Sequence, residues 1–243
     1  MDQLRDYADD RLVSGCVYCG GSNDTCDHVP SRIFLDAPVP ENLPVVGACR
    51  ACNNSFSLDE EYLACLIESV LAGSTDPDRI RRPGIANILR RKPALRARID
   101  TAQKSVDGQL QFRTELVRVR NVLLKLARGH AAFELSQVCR YEPIVFWSRP
   151  LHLLTNEERD LFDSCHVVQL FGEIGSRSQQ RILVSEVKLR SENGEESIVQ
   201  LLINDWINVQ DGRYRYLATH DTDGVKVKIV IAEYLACEVV WGV

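Results

Sequence analysis

The chain has 243 residues, of which 45% are hydrophobic and 26% charged, and it contains no low-complexity stretch. Those values exclude collagen-like and disordered classes and leave room for one large domain or two smaller ones around a real core. Lys and Arg number 29 against 34 Asp and Glu, a formal net charge of −5, so a uniformly basic nucleic-acid coat is excluded while a local basic patch is not.

The first dozen residues are polar and read as a short lead-in helix. They carry no apolar signal core, and no run approaches the roughly 18 apolar residues of a membrane span. The expectation is a cytoplasmic protein without a membrane segment. Nine cysteines, an odd number without a secretion signal, point to metal binding rather than disulfides. Four of them form two C-x-x-C pairs, Cys16-Val-Tyr-Cys19 and Cys49-Arg-Ala-Cys52. Each such turn lets two thiolates grip one ion, and two turns complete a tetrahedral structural zinc site with no open position for substrate. Cys65, Cys139, Cys165 and Cys237 read as buried small apolar residues.

Between the knuckles lies Cys26-Asp27-His28-Val29-Pro30-Ser31-Arg32, which pairs a carboxylate suited to a hard cation with an imidazole suited to proton transfer. Asn42 precedes the apolar run Leu43–Val46, and Asn53-Asn54 follows the second knuckle. Ser57-Leu58-Asp59-Glu60 reads as a capping box opening a helix with Leu58, Tyr62, Leu66 and Val70 on one face, stopped by Gly73.

From Asp78 to about Phe133 the pattern reads as helical, broken at Pro83-Gly84 and Pro93. Between Arg79 and Arg128, fourteen basic residues face three acids, a net +11 set against −16 for the rest of the chain. Leu116, Val119, Leu123, Leu126 and Ala127 make a packed helical face, with Arg118, Lys125 and Arg128 expected on the others. Next to the motif above, this segment, Arg90-Arg91-Lys92 in particular, is the candidate for backbone-phosphate binding.

Beyond Tyr141 come a short strand, Pro143–Trp147, and a helix after Thr155. Val- and Ile-rich runs follow at Val167–Phe171, Arg181–Leu189, Ser197–Asn204, Tyr214–Thr219, Val225–Ala232 and Leu235–Trp241, separated by Gly-containing turns. This reads as an antiparallel sheet anchored by Trp147, Trp206 and Trp241. His130, His152, His166 and His220 have no ligand-spaced partner and read as structural or surface residues.

The order C-x-x-C, D-H-V-P, N before an apolar strand, then C-x-x-C-N, resembles the zinc-containing HNH endonucleases over about Cys16–Leu71. Together with the helical and strand patterns that follow it, this reads as an α+β chain. Residues 1–75 would form a ββα-metal nuclease module, residues 76–140 a basic helical connector, and residues 141–243 a β-rich domain of unassigned role. The resemblance implies His28 as general base, Asp27 and Asn53 (or Asn54) as ligands of Mg²⁺ or Mn²⁺, and Asn42 orienting the base. DNA would be the substrate, with RNA as the alternative. The family's usual basic residue after the last Asn is replaced here by a run ending in Phe56, which turns attention to Arg32 and Arg50 for phosphate contact. Two other readings are a catalytically inactive zinc-stabilised nucleic-acid-binding protein, and a toxin-like or defence effector restrained by its C-terminal domain. The sequence leaves a homodimer open.

Overall fold

A computed structural model describes residues 4–106, 109–112, 114–191 and 193–242. The lead-in is a single 3₁₀ turn, Asp10–Val13, capped by Asp9. Strand β1 (Thr25–His28) then pairs antiparallel with β2 (Val45–Ala48), setting Thr25 opposite Ala48 and His28 opposite Val45. Helix α1 (Arg50–Ser55) follows directly and runs through Phe56 into α2 (Ser57–Ala72). The expected capping box does not form. Phe56 stays in the helical region, so Ser57 lies inside a nearly continuous helix and its hydroxyl donates to the Asn54 carbonyl instead. Leu58 is consequently 63% exposed, whereas Tyr62 and Leu66 are buried. Gly73 ends α2 as expected, in the left-handed conformation with its N–H on the Ser69 and Val70 carbonyls.

The basic stretch is less helical than its periodicity suggests. Helices α3 (Pro83–Arg91) and α4 (Pro93–Thr101) each begin on a proline, whose fixed φ and missing donor suit that first position. A hairpin of β3 (Gln103–Val106) and β4 (Gln109–Phe112) then interrupts the helical run. Helix α5 (Leu116–Leu135) is the longest element, and Val122, Leu123, Leu126 and Ala127 have no exposed surface. Lys125 is also buried, at 2% exposure, contrary to its expected outward placement.

Strand β5 (Val145–Pro150) and helix α6 (Asn156–Asp163) come next, the latter opened by a true capping box between Thr155 and Glu158. Of the expected Val167–Phe171 strand only Val167 is a strand residue, in the two-residue β6 (His166–Val167), and a short α7 (Arg177–Gln180) follows. The remaining strands are β7 (Leu183–Arg190), β8 (Glu196–Asn204), β9 (Ile207–Gln210), β10 (Tyr214–Asp221), β11 (Gly224–Ile231) and β12 (Leu235–Trp241). They form two antiparallel sheets, ordered β5-β12-β11-β10-β9 and β6-β8-β7. The chain is therefore mixed helix and sheet.

Helix α5 packs on α2 and β2 on one side and on β10, β11 and β12 on the other. One hydrophobic cluster thus runs from Cys16 through α2 and α5 to Trp241. A second, smaller cluster holds Phe162 between Trp147 and Trp206. Among the described residues, no helix is long and apolar enough to cross a membrane.

Candidate functional site

Two local devices assemble the four thiols. In the first knuckle the Cys16 and Gly21 backbones pair at 2.9 Å, and the Gly20 N–H returns to the Cys16 carbonyl at 2.8 Å. Gly20 has φ +82°, a conformation other residues adopt only with strain. Arg140 closes the turn from behind, donating to the Cys16 carbonyl at 3.1 Å. In the second knuckle Cys49 is the N-cap of α1, and its sulfur accepts the Cys52 N–H at 3.3 Å. All four sulfurs lie within 4.8 Å of one another, with Cys19 and Cys49 3.7 Å apart. Tetrahedral zinc with ~2.3 Å bonds sets sulfurs about 3.8 Å apart. The cluster could therefore hold a metal ion such as zinc. Burial opposes ionisation of Cys16, but hydrogen bonds from the backbones of Cys49, Cys19 and Tyr18 outweigh it and bring the thiol down to about 7. Burial and the neighbouring thiols push Cys52 up.

Cys26 and Cys165 are exposed and lie outside the cluster. For Cys165 this corrects the buried reading, which holds for Cys65, Cys139 and Cys237.

Strand alternation sends Asp27 and His28 to opposite sides of β1. His28, half-buried at the end of the strand, has Nε2 2.9 Å from Arg32 Nη2. A guanidinium can only donate, so Nε2 accepts and the ring proton sits on Nδ1. Burial holds the imidazole below its ordinary pKa; the Arg32 and Lys125 charges act in the same direction, and Asp27 opposes them. Asp27 faces inward at 6% exposure. Its Oδ2 accepts from the Tyr18 hydroxyl at 2.7 Å and from the Lys125 ammonium at 2.8 Å. Lys125 also reaches Glu60 Oε1 at 2.7 Å and Ser31 Oγ at 2.8 Å. Burial, then the Asp27 charge, raises the Tyr18 phenol well above its usual pKa, so it remains a donor.

Asn53 lies across β1 from α1, its Nδ2 donating to the Cys26 carbonyl at 3.1 Å and to Thr25 Oγ1 at 3.3 Å. Its Oδ1 carries no hydrogen bond among the described residues, and neither does Asp27 Oδ1. Asn54 is exposed. Asn42 is exposed in the turn before β2, and its side chain touches no polar group among the described residues.

The expected phosphate contacts fare unevenly. Arg90 pairs with Asp78 at 2.8 Å and Lys92 with Glu61 at 2.7 Å, so folding already balances their charges. Arg91 and Arg50 are exposed, and neither guanidinium has an acidic partner among the described residues, although the Arg50 backbone N–H donates to Asp24 Oδ1 at 3.1 Å. Lys125, Glu60, Tyr18, Ser31 and Arg140 are not among the candidate site residues the sequence offers. The visible signal for Lys125 was a lone cation inside the apolar run Val122-Leu-Leu-Lys-Leu-Ala127.

No protein-family model matches the chain, and neither the curated proteins nor the solved structures provide a match.

Proposed function

We propose that the chain is a metal-dependent endonuclease of the HNH type that hydrolyses phosphodiester bonds in DNA. One observation carries the reading: a strand–strand–helix unit clamped by four thiols presents His28 at the end of its first strand, with Asn53 of its helix bonded across that strand. A closed thiolate site has no coordination position for substrate, so its part is to hold this unit together. The chemistry then falls to the residues on β1 and α1.

His28 Nε2 is the atom that would take a proton from the attacking water. The water oxygen bonds to phosphorus and the P–O3′ bond breaks. The products are a 5′-phosphate and, once the leaving oxygen is protonated, a 3′-hydroxyl. The oxygens with no hydrogen-bond partner, Asp27 Oδ1 and Asn53 Oδ1, are hard donors of the type Mg²⁺ or Mn²⁺ takes, in a shell otherwise of water. Such an ion, when bound, polarises the scissile phosphate and steadies the leaving oxygen. Lys125 meets much of the Asp27 charge from inside, and Tyr18 fixes the carboxylate's plane.

The test is incubation of purified protein with plasmid and Mg²⁺ or Mn²⁺, beside His28→Ala. Nicking or linearisation by wild type, abolished in a variant that keeps its fold, supports the reading. If wild type cuts no nucleic acid with either ion, it is overturned in favour of a zinc-stabilised binding protein.

A further inference from the structure

We infer that the groove between α3 and the turn after β1 is the track for one strand of duplex DNA, with Arg32, Arg79 and Arg81 as its phosphate contacts. The choice of DNA rests on the nuclease reading above; the placement of the track rests on the groove itself. The groove has a volume of about 1310 Å³. That exceeds the roughly 300–1,000 Å³ of small-molecule pockets and suits a polymer lying along it.

Five arginines line the groove, Arg32, Arg79, Arg81, Arg82 and Arg213, against two acids, Asp36 and Glu68. The acids are spent on its floor. Arg82 pairs with Asp36 at 2.7 Å and Arg213 with Glu68 at 2.5 Å. Arg82 also donates to the Ile33 carbonyl at 2.9 Å and to that of Leu35, which fastens the turn carrying Arg32 to the start of α3. The other three arginines are exposed and have no acidic partner among the described residues. Ile80, buried between Arg79 and Arg81, pins the backbone so that the flanking guanidinium groups stay at the surface. The first turn of α3 opens on the same groove. Around Gly84 nothing lies within 4 Å of where a Cβ would be, so a phosphate can approach backbone N–H groups there.

Arg32 joins this groove to the proposed base, because its guanidinium covers His28 Nε2 in the free protein. A phosphate that draws Arg32 away leaves that nitrogen open to water. Substrate binding and exposure of the base are then one event. By contrast, Arg90 and Lys92 lie in ion pairs that DNA would have to break.

The experiment measures anisotropy of a labelled DNA duplex in the His28→Ala background, without Mg²⁺ or Mn²⁺, between 50 and 200 mM salt. A matched RNA duplex runs in parallel. Arg79→Ala with Arg81→Ala should weaken DNA binding at least tenfold at the lowest salt and flatten the log–log slope by about 1.8, ~0.9 for each lost phosphate contact. Arg79→Lys with Arg81→Lys should keep most of the slope, and Arg90→Ala with Lys92→Ala should change it little. Unchanged melting temperatures would confirm intact folds. A double alanine variant that binds like its parent overturns the track, as does a parent that binds no duplex DNA. Binding of the RNA duplex alone overturns the choice of partner. Cleavage by wild type separates the two ideas: wild type that cuts, with indifferent arginine variants, leaves the nuclease standing without this track. Wild type that never cuts but binds through Arg79 and Arg81 leaves the track without the nuclease.

Discussion

Lys125 of α5 and Asp27 of β1 meet at 2.8 Å with 1% and 8% of their side chains exposed. The helix that carries the lysine belongs to the basic stretch, ninety-odd residues downstream, so the C-terminal end of that stretch is an internal strut rather than a surface for phosphates. Glu60, 13% exposed, shares the same ammonium at 2.7 Å. Two desolvated carboxylates around one cation are tolerable only with further hydrogen bonds. Tyr18 supplies one to Asp27, and Ser31 one to Glu60.

Removing the cation should therefore be costly. Lys125→Met leaves Asp27 and Glu60 facing each other without compensation, and urea unfolding should show a loss of about 3–5 kcal/mol. Adding Asp27→Asn and Glu60→Gln should recover more than half of that loss, since the amides need no counter-charge. A single variant as stable as wild type, or a triple variant no better than the single, would show that the lysine is not balancing these two acids.

The four-cysteine cluster, the Gly73 stop, the Thr155 helix and most C-terminal strands are legible because each rests on a local signal: two residues at fixed spacing, a cap, or alternation in a short run. What escaped depends on partners far along the chain. Lys125 reads as an outward lysine until β1 and α2 are placed around it. Arg90 and Lys92 read as free charge until Asp78 and Glu61 arrive beside them. Leu58 departs from the expected apolar face for a local reason: a continuous Asn54–Ser57 backbone shifts the start of the helix and turns its first apolar residue outward. For the site, the sequence brings Asp27, His28 and Asn53 onto neighbouring elements, but only the structure shows Asp27 and His28 on opposite sides of one strand.

Gly129 offers a test in which two effects have opposite signs. In an ordinary helix, Gly→Ala gains about 1 kcal/mol. Here a Cβ would stand 2.5 Å from Val29 Cγ2 and 2.9 Å from its Cγ1, and Val29 is itself fully buried behind the Asp27-His28 pair. Overpacking of this kind costs ~1–3 kcal/mol and should win. Gly129→Ala should melt lower than wild type, and pairing it with Val29→Ala should return part of the loss. A Gly129→Ala protein more stable than wild type would show that α5 can move off Val29 without penalty.

His130 should make stability depend on pH. It has no exposed surface, stacks on Tyr216 with ring centroids 3.6 Å apart and bonds Tyr214 Oη through Nε2 at 2.8 Å. Burial, reinforced by the Lys125 charge, holds it well below the ordinary histidine pKa. The folded form is therefore neutral, while the unfolded chain takes up a proton near pH 6.5. Stability from this group is fully present above that pH and is lost as pH falls, by up to about 1.4 kcal/mol per pH unit. Compared at pH 7.5, 6.5 and 5.5, the stability gap between wild type and His130→Phe should narrow on the acid side, because the phenylalanine variant lacks the proton uptake. Parallel pH profiles would mean that another group sets the acid limit.

The four-thiol cluster allows a substitution that isolates the metal from the cap. Cys49 both contributes a sulfur and accepts the Cys52 N–H at the start of α1. Serine caps helices well, so Cys49→Ser keeps a capping side chain while replacing a thiolate with a poor zinc ligand. Elemental analysis should find about one zinc per wild-type chain and little in the variant. Binding free energy at such a site is folding free energy. If that costs ~3 kcal/mol, melting should fall by roughly 6–12 °C for a chain of this length. The loss should extend beyond the knuckles, because Cys16 belongs to the same apolar cluster as α2, α5 and Trp241. Cys26→Ser and Cys165→Ser, exposed and outside the cluster, should keep both zinc and melting temperature. Wild-type protein free of metal, or a Cys49→Ser variant with unchanged stability, would show that the four sulfurs gather without an ion and that α1 is held to β1 by Asn53 and packing alone.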